Sequence, residues 1–170
     1  MIRNLGEDIM NDKLVDALSK SFHGEWTHID PKRALKGLTS ENARKKPKGF
    51  DHSCWELLYH IVTWQKTLLK NIKGQEIDWN KIEQEDNWPN EEILKNDENF
   101  SELVETFYSG INESKELIKN VDLLNEKEIS IGPKELSIIK LTIVLLQHTS
   151  YHLGQIVSLR KFLGDWPLNH

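Results

Sequence analysis

Apolar residues recur at helical spacing in four stretches of the chain, and no stretch alternates like a strand for long. The first stretch runs from about Glu7 to Phe22, with Leu5, Ile9, Leu14, Val15, Leu18 and Phe22 on one face and lysines and acids opposite. The second begins near Ser53. Ser53 and Glu56 have the spacing of a capping box, Leu57, Leu58, Ile61, Val62, Trp64, Leu68, Leu69 and Ile72 form the stripe, and Gly74 suits the residue after the last turn. The third, about Phe100 to Lys119, carries Phe100, Leu103, Val104, Phe107, Ile111 and Ile118, with Gly110 inside it at a cost of about 1 kcal/mol. The fourth is expected to start at Gly132-Pro133 and to end at Leu163-Gly164 with Pro167 beyond. Its first half, Ile138 to Leu146, is apolar nearly all round and so predicts burial on most sides.

Two connections are long. Residues 23–51 contain DPKRALKG and TSENARKKP, each the length of a single helical turn or two. Residues 75–98 hold nine acids and two lysines around Trp79 and Trp88-Pro89, and those tryptophans predict packing against the body. The pattern predicts an all-α protein, a four-helix bundle with long crossover connections, as one domain over residues 1–170.

Charge narrows the function. With 22 basic and 27 acidic side chains the formal net charge is −5, which offers a phosphate backbone no general attraction, so no nucleic-acid partner is expected. The longest apolar run is broken by Lys140 and too short to cross a bilayer, so no membrane partner is expected either. Met1 to Met10 carries Glu7 and Asp8 and no apolar run, and the expected location is the cytoplasm. A lone cysteine, Cys54, excludes an internal disulfide and multi-cysteine metal sites.

The histidines carry the candidate chemistry. His148 and His152 in QHTSYHLGQ are four apart, on one helical face and about 5–6 Å apart at Cβ. Thr149 occupies the place where helical metalloproteases need a glutamate, which excludes that chemistry. Two ligands rarely hold an ion; His60, set among apolar residues in ELLYHIVTW, is the candidate third. Spacing alone leaves a metal site and hydrogen-bonded core histidines both open. Glu56 lies about 40° from His60 on the helix and is a candidate base or ligand-orienting group as well as a cap, whereas Cys54 lies about 240° away and is not read as a ligand. Tyr151, Gln155 and Trp64 are candidate pocket residues, and His23, His28 and His52 read as loop hydrogen-bonders or rim residues.

The segment His148 to Pro167, HTSYHLGQIVSLRKFLGDWP, resembles the C-terminal signature of the DinB-like superfamily of metal-binding four-helix bundles. HSCWELLYHIVTWQ at His52, HGEWTH at His23 and GLTSENA at Gly37 are similar to other parts of the same family. The resemblance implies metal ligation by His60, His148 and His152, with a divalent transition metal, zinc or nickel first, as cofactor. It implies an S-transferase moving a low-molecular-weight thiol, bacillithiol in the bacterial group it looks most like, onto a small-molecule electrophile. The alternatives are a metal-dependent hydrolase and a non-catalytic metal- or ligand-binding stress-response protein. It also implies a homodimer. Trp26, Trp79 and Trp88 are then candidate pocket walls, and Arg33, Arg44, Lys45 and Lys46 candidate anchors for an acidic thiol.

Overall fold

The computed structural model describes residues 5–25, 27–125 and 128–166, so Trp26, Pro167 and His170 lie outside the described residues. In chain order it contains α1 (Leu5–Ser21), α2 (Pro31–Leu35), α3 (Ser40–Arg44), α4 (Cys54–Ile72), α5 (Trp79–Lys81) running into a π-helical turn (Ile82–Asp86), α6 (Glu91–Lys95), α7 (Asp97–Asn120), β1 (Glu128–Ile131), β2 (Lys134–Ser137) and α8 (Ile138–Phe162). The four long helices α1, α4, α7 and α8 form the bundle, and among the described residues the fold is all-α apart from one hairpin.

Helix α4 is the central element, packed along both α7 and α8. Trp55, Leu58 and Ile61 from α4 meet Phe107 and Ile111 from α7 and Leu141, Leu145, Leu153 and Ile156 from α8. Each such side chain taken from water contributes about 1.5–3 kcal/mol. The start of α4 is fixed as its sequence predicts. The Ser53 hydroxyl accepts from the Glu56 N–H at 3.2 Å, the Glu56 carboxylate accepts from the Ser53 N–H at 2.6 Å, and Gly74 follows the last turn at φ +78°.

Gly110 has a packing reason. A Cβ there would stand 2.0 Å from Oε1 of Gln65, a side chain only 1% exposed, so the glycine lets α4 and α7 approach closely.

The first crossover forms the expected short helices, α2 capped by Asp30 and α3 by Thr39. It is tied to the end of α8 by Arg160, a buried guanidinium that donates to the carbonyl oxygens of Ala34 (2.7 Å) and Lys36 (2.9 Å) and to the Asp165 carboxylate (3.0 Å). A buried charge needs such partners.

Two sequence expectations are corrected. Gly132-Pro133 does not open the fourth helix. Gly132, at φ +54°, and Pro133 form the two-residue turn of an antiparallel hairpin pairing Glu128 with Ser137 and Ile131 with Lys134. Ser137 then caps α8 through its hydroxyl. The hairpin buries part of Ile129, Ile131 and Leu136 against the core, and the Asn71 side chain donates to the Ser130 carbonyl at 3.1 Å. Ile9 also departs from its predicted face: it is 48% exposed, because α1 packs on the bundle through Leu14, Val15, Leu18 and Phe22.

Candidate metal centre

The i, i+4 spacing places His148 and His152 one above the other on α8, and α4 brings His60 against them. The three rings form a nearly equilateral triangle, with centroids 4.9 Å (His60–His148), 4.7 Å (His60–His152) and 4.6 Å (His148–His152) apart. One ligand atom from each lies within 4.8 Å of the others, and Nε2 of His60 and Nε2 of His148 are 3.0 Å apart. Two nitrogens that each sit about 2.0–2.1 Å from one zinc ion are separated by roughly that distance.

The surroundings select the metal-binding tautomer of two of the rings. A carbonyl only accepts, so the 3.2 Å contact from Nδ1 of His60 to the Asn87 carbonyl makes Nδ1 the donor and leaves Nε2 with its lone pair. His152 donates in the same way from Nδ1 to Oε1 of Gln155 at 2.6 Å. Nδ1 of His148 is buried without a hydrogen-bond partner. Burial pushes the His148 imidazolium down to about 3, assisted by the other two histidines, and burial also lowers His60 and His152. All three rings are therefore neutral near pH 7, the state a metal requires. This donor set fits a divalent transition metal.

A second layer holds the triangle. Trp64 donates to the Asn87 side chain at 2.8 Å, steadying the residue whose carbonyl orients His60. Trp88 stacks on His60 at 4.3 Å and on His52 at 3.7 Å, so one indole is sandwiched between two imidazoles. Trp88 is thus a wall of the site. Trp79 is half-buried and does not line the neighbouring cleft. The expectation for Trp26 falls outside the described residues. Tyr151, Gln155 and His52 do line that cleft, which none of the three histidines lines and which meets the triangle through the contact between Gln155 and His152.

The remaining candidates lie elsewhere. Cys54 is fully buried with Sγ 3.8 Å from the Ile156 carbonyl, and burial pushes its thiol up to about 12. Glu56 carries its capping bonds and a 2.9 Å ion pair to Lys46. Burial pushes its carboxyl up, but Ser53 and Lys46 together outweigh that and hold it below the usual range. Arg44 engages the Leu94 carbonyl and Asp97, Lys45 engages Asn42 and Glu41, and Arg33 is exposed on α2. His28 bridges the carbonyls of Ser21 and Ile29, and His23 accepts from Lys115 at 3.0 Å, so both are loop hydrogen-bonders. Asn87 is the residue that sequence reasoning missed; it sits in an acid-rich loop and acts through its backbone carbonyl, which no side-chain pattern announces.

Fold and cluster together define a helical bundle with a three-histidine site suited to a transition-metal ion. The sequence profile of the DinB superfamily matches residues 30–156, which include all three histidines, and the chain belongs to that superfamily. No curated protein sequence gives a significant match.

Proposed function

We propose that the protein is a metal-dependent S-transferase that joins a low-molecular-weight thiol of the bacillithiol type to a small electrophile. The observation that carries this reading is the convergence of three neutral imidazoles from α4 and α8 beside an open cleft. A zinc or nickel ion held by His60, His148 and His152 supplies the positive charge that stabilises a thiolate, the nucleophilic form of the thiol. Three neutral ligands leave that charge undiminished. The Asn87 carbonyl and the Gln155 side-chain oxygen keep the His60 and His152 rings aligned by accepting hydrogen bonds from their Nδ1–H groups, and Trp88 shields the His60 face from water. The cleft lined by Tyr151 and Gln155 holds the electrophile next to the site. The sulfur then forms a bond to the electrophilic carbon, the leaving group departs with the bonding pair, and the thiol proton passes to solvent.

The test uses untagged, zinc-loaded protein with bacillithiol and monochlorobimane, following chloride displacement by fluorescence. Turnover above the uncatalysed rate is expected, and His148→Ala should reduce it to background. Equal rates in wild type and His148→Ala would show that the triangle is not the reacting site.

A further inference from the structure

The cleft beside the triangle has a character of its own. It encloses about 480 Å³ between residues 49–52 and the C-terminal half of α8. That volume lies in the range of sites that hold small organic ligands. Phe50, Leu57 and Leu159 supply apolar walls, and Tyr151, Gln155 and His52 supply polar edges. Two contacts join it to the metal centre. Gln155 lines the cleft and accepts from His152, and His52 lines it and stacks on the Trp88 ring that covers His60.

Among the described residues, neither lysine nor arginine lines this space, and the one carboxylate that does, Asp51, is exposed and of the wrong sign to receive an anion. Of the basic side chains in the first crossover, Arg44 is engaged with Asp97, Lys45 with Glu41 and Lys46 with Glu56, and Lys48, next to Gly49, is exposed and is not among the residues lining the cleft. A carboxylate or sulfonate seated against these walls would lose water without gaining a counter-charge from a lining side chain, which is costly. An uncharged apolar ring faces no such cost. Gln155 uses Oε1 on His152, while its Nε2 has only a 3.5 Å contact to the Tyr151 hydroxyl, so an amide N–H is available to a ligand oxygen.

We propose that this cleft binds an uncharged, largely apolar co-substrate carrying a carbonyl-type acceptor, and discriminates against anions of the same size. The assignment rests on the metal-centre reading for its catalytic meaning, although binding itself does not require the metal. It makes the cleft the selective half of the site: the electrophile is chosen by the absence of cations and the presence of one amide donor.

Gly154 provides the means of testing it. It lines the cleft on α8, and a Cβ added there meets nothing within 4 Å. A leucine at this position adds bulk at the cleft's lining from a Cβ that stands in open space, and it favours the helix by about 1 kcal/mol over glycine. The probes are the ketone 2-acetylnaphthalene and the isosteric carboxylate 2-naphthoate, titrated by fluorescence against zinc-loaded wild type and Gly154→Leu. Binding is read as the difference between the two proteins, so any carboxylate held by zinc itself cancels. The ketone should bind at least about tenfold more tightly than the carboxylate, and Gly154→Leu should lose it while keeping its zinc. Equal binding, tighter carboxylate binding, no ketone binding, or ketone binding that survives Gly154→Leu would each overturn the proposal. Gly154-dependent ketone binding in a protein that takes up no zinc would leave the cleft assignment standing and end the metal reading. Zinc retained without ketone binding would do the reverse.

Discussion

A single carbonyl decides what His60 can do. Because the Asn87 carbonyl accepts from Nδ1, Nε2 is left free to face His148, and the same logic fixes His152 through Gln155. The His148–His152 pair was legible in the sequence, since helical spacing alone puts both rings on one face. His60 was legible as an anomaly, a polar residue in an apolar stripe. Asn87 was not legible, because its contribution is backbone geometry set by tertiary packing, and Trp88 was legible only as an aromatic too large to leave in water. The burial of these rings has a consequence for pH. An unfolded histidine binds a proton below about 6.5, whereas His148 in the fold does so only near 3. The unfolded chain therefore binds more protons throughout that window, and the metal-free protein loses stability as pH falls through it. The urea midpoint of metal-free wild type should drop between about pH 7 and about pH 5, and His148→Leu should show a shallower drop over the same interval. An equal drop in both proteins would mean that His148 is not held neutral by the fold.

At the scale of elements, the long helices were readable because their apolar stripes are continuous and their ends carry caps. The hairpin was not. Proline after glycine is a good first helical residue and an equally good second turn residue, and of the two four-residue strands Glu128–Ile131 alternates while Lys134–Ser137 does not. What decides between the two is Gly132 at positive φ, with Ile129, Ile131 and Leu136 packed on the core, which only the tertiary structure supplies. Gly110 looked like a weakness in α7 and is a close-approach point for Gln65. Alanine there gains helix propensity but drives Cβ into a buried side chain. Overpacking costs about 1–3 kcal/mol. Gly110→Ala should therefore lower stability by about 1 kcal/mol in urea unfolding, net of the propensity gained. Adding Gln65→Ala should remove that penalty, so the two changes couple favourably. A stabilised Gly110→Ala would show that Gln65 relaxes freely.

Across the whole molecule, the bundle serves the site by pressing α4 against α8. Their shared core residues, Leu58, Ile61, Leu145, Leu153 and Ile156, are buried on either side of the histidines and leave the rings little freedom. The acid-rich connection between α4 and α7 closes one side of the triangle through Asn87 and Trp88, and the segment before α4 bounds the adjoining cleft. Among the described residues, no helix is long and apolar enough to cross a membrane. The central claim is that this arrangement holds one metal ion in each chain. The direct measurement is metal content by mass spectrometry on untagged protein reconstituted with zinc or with nickel, alongside His60→Ala and His148→Ala. About one ion per chain in wild type, lost in both variants, is the predicted result. Wild type with no more metal than the variants would contradict the account and leave the three histidines as a packed, uncharged part of the core.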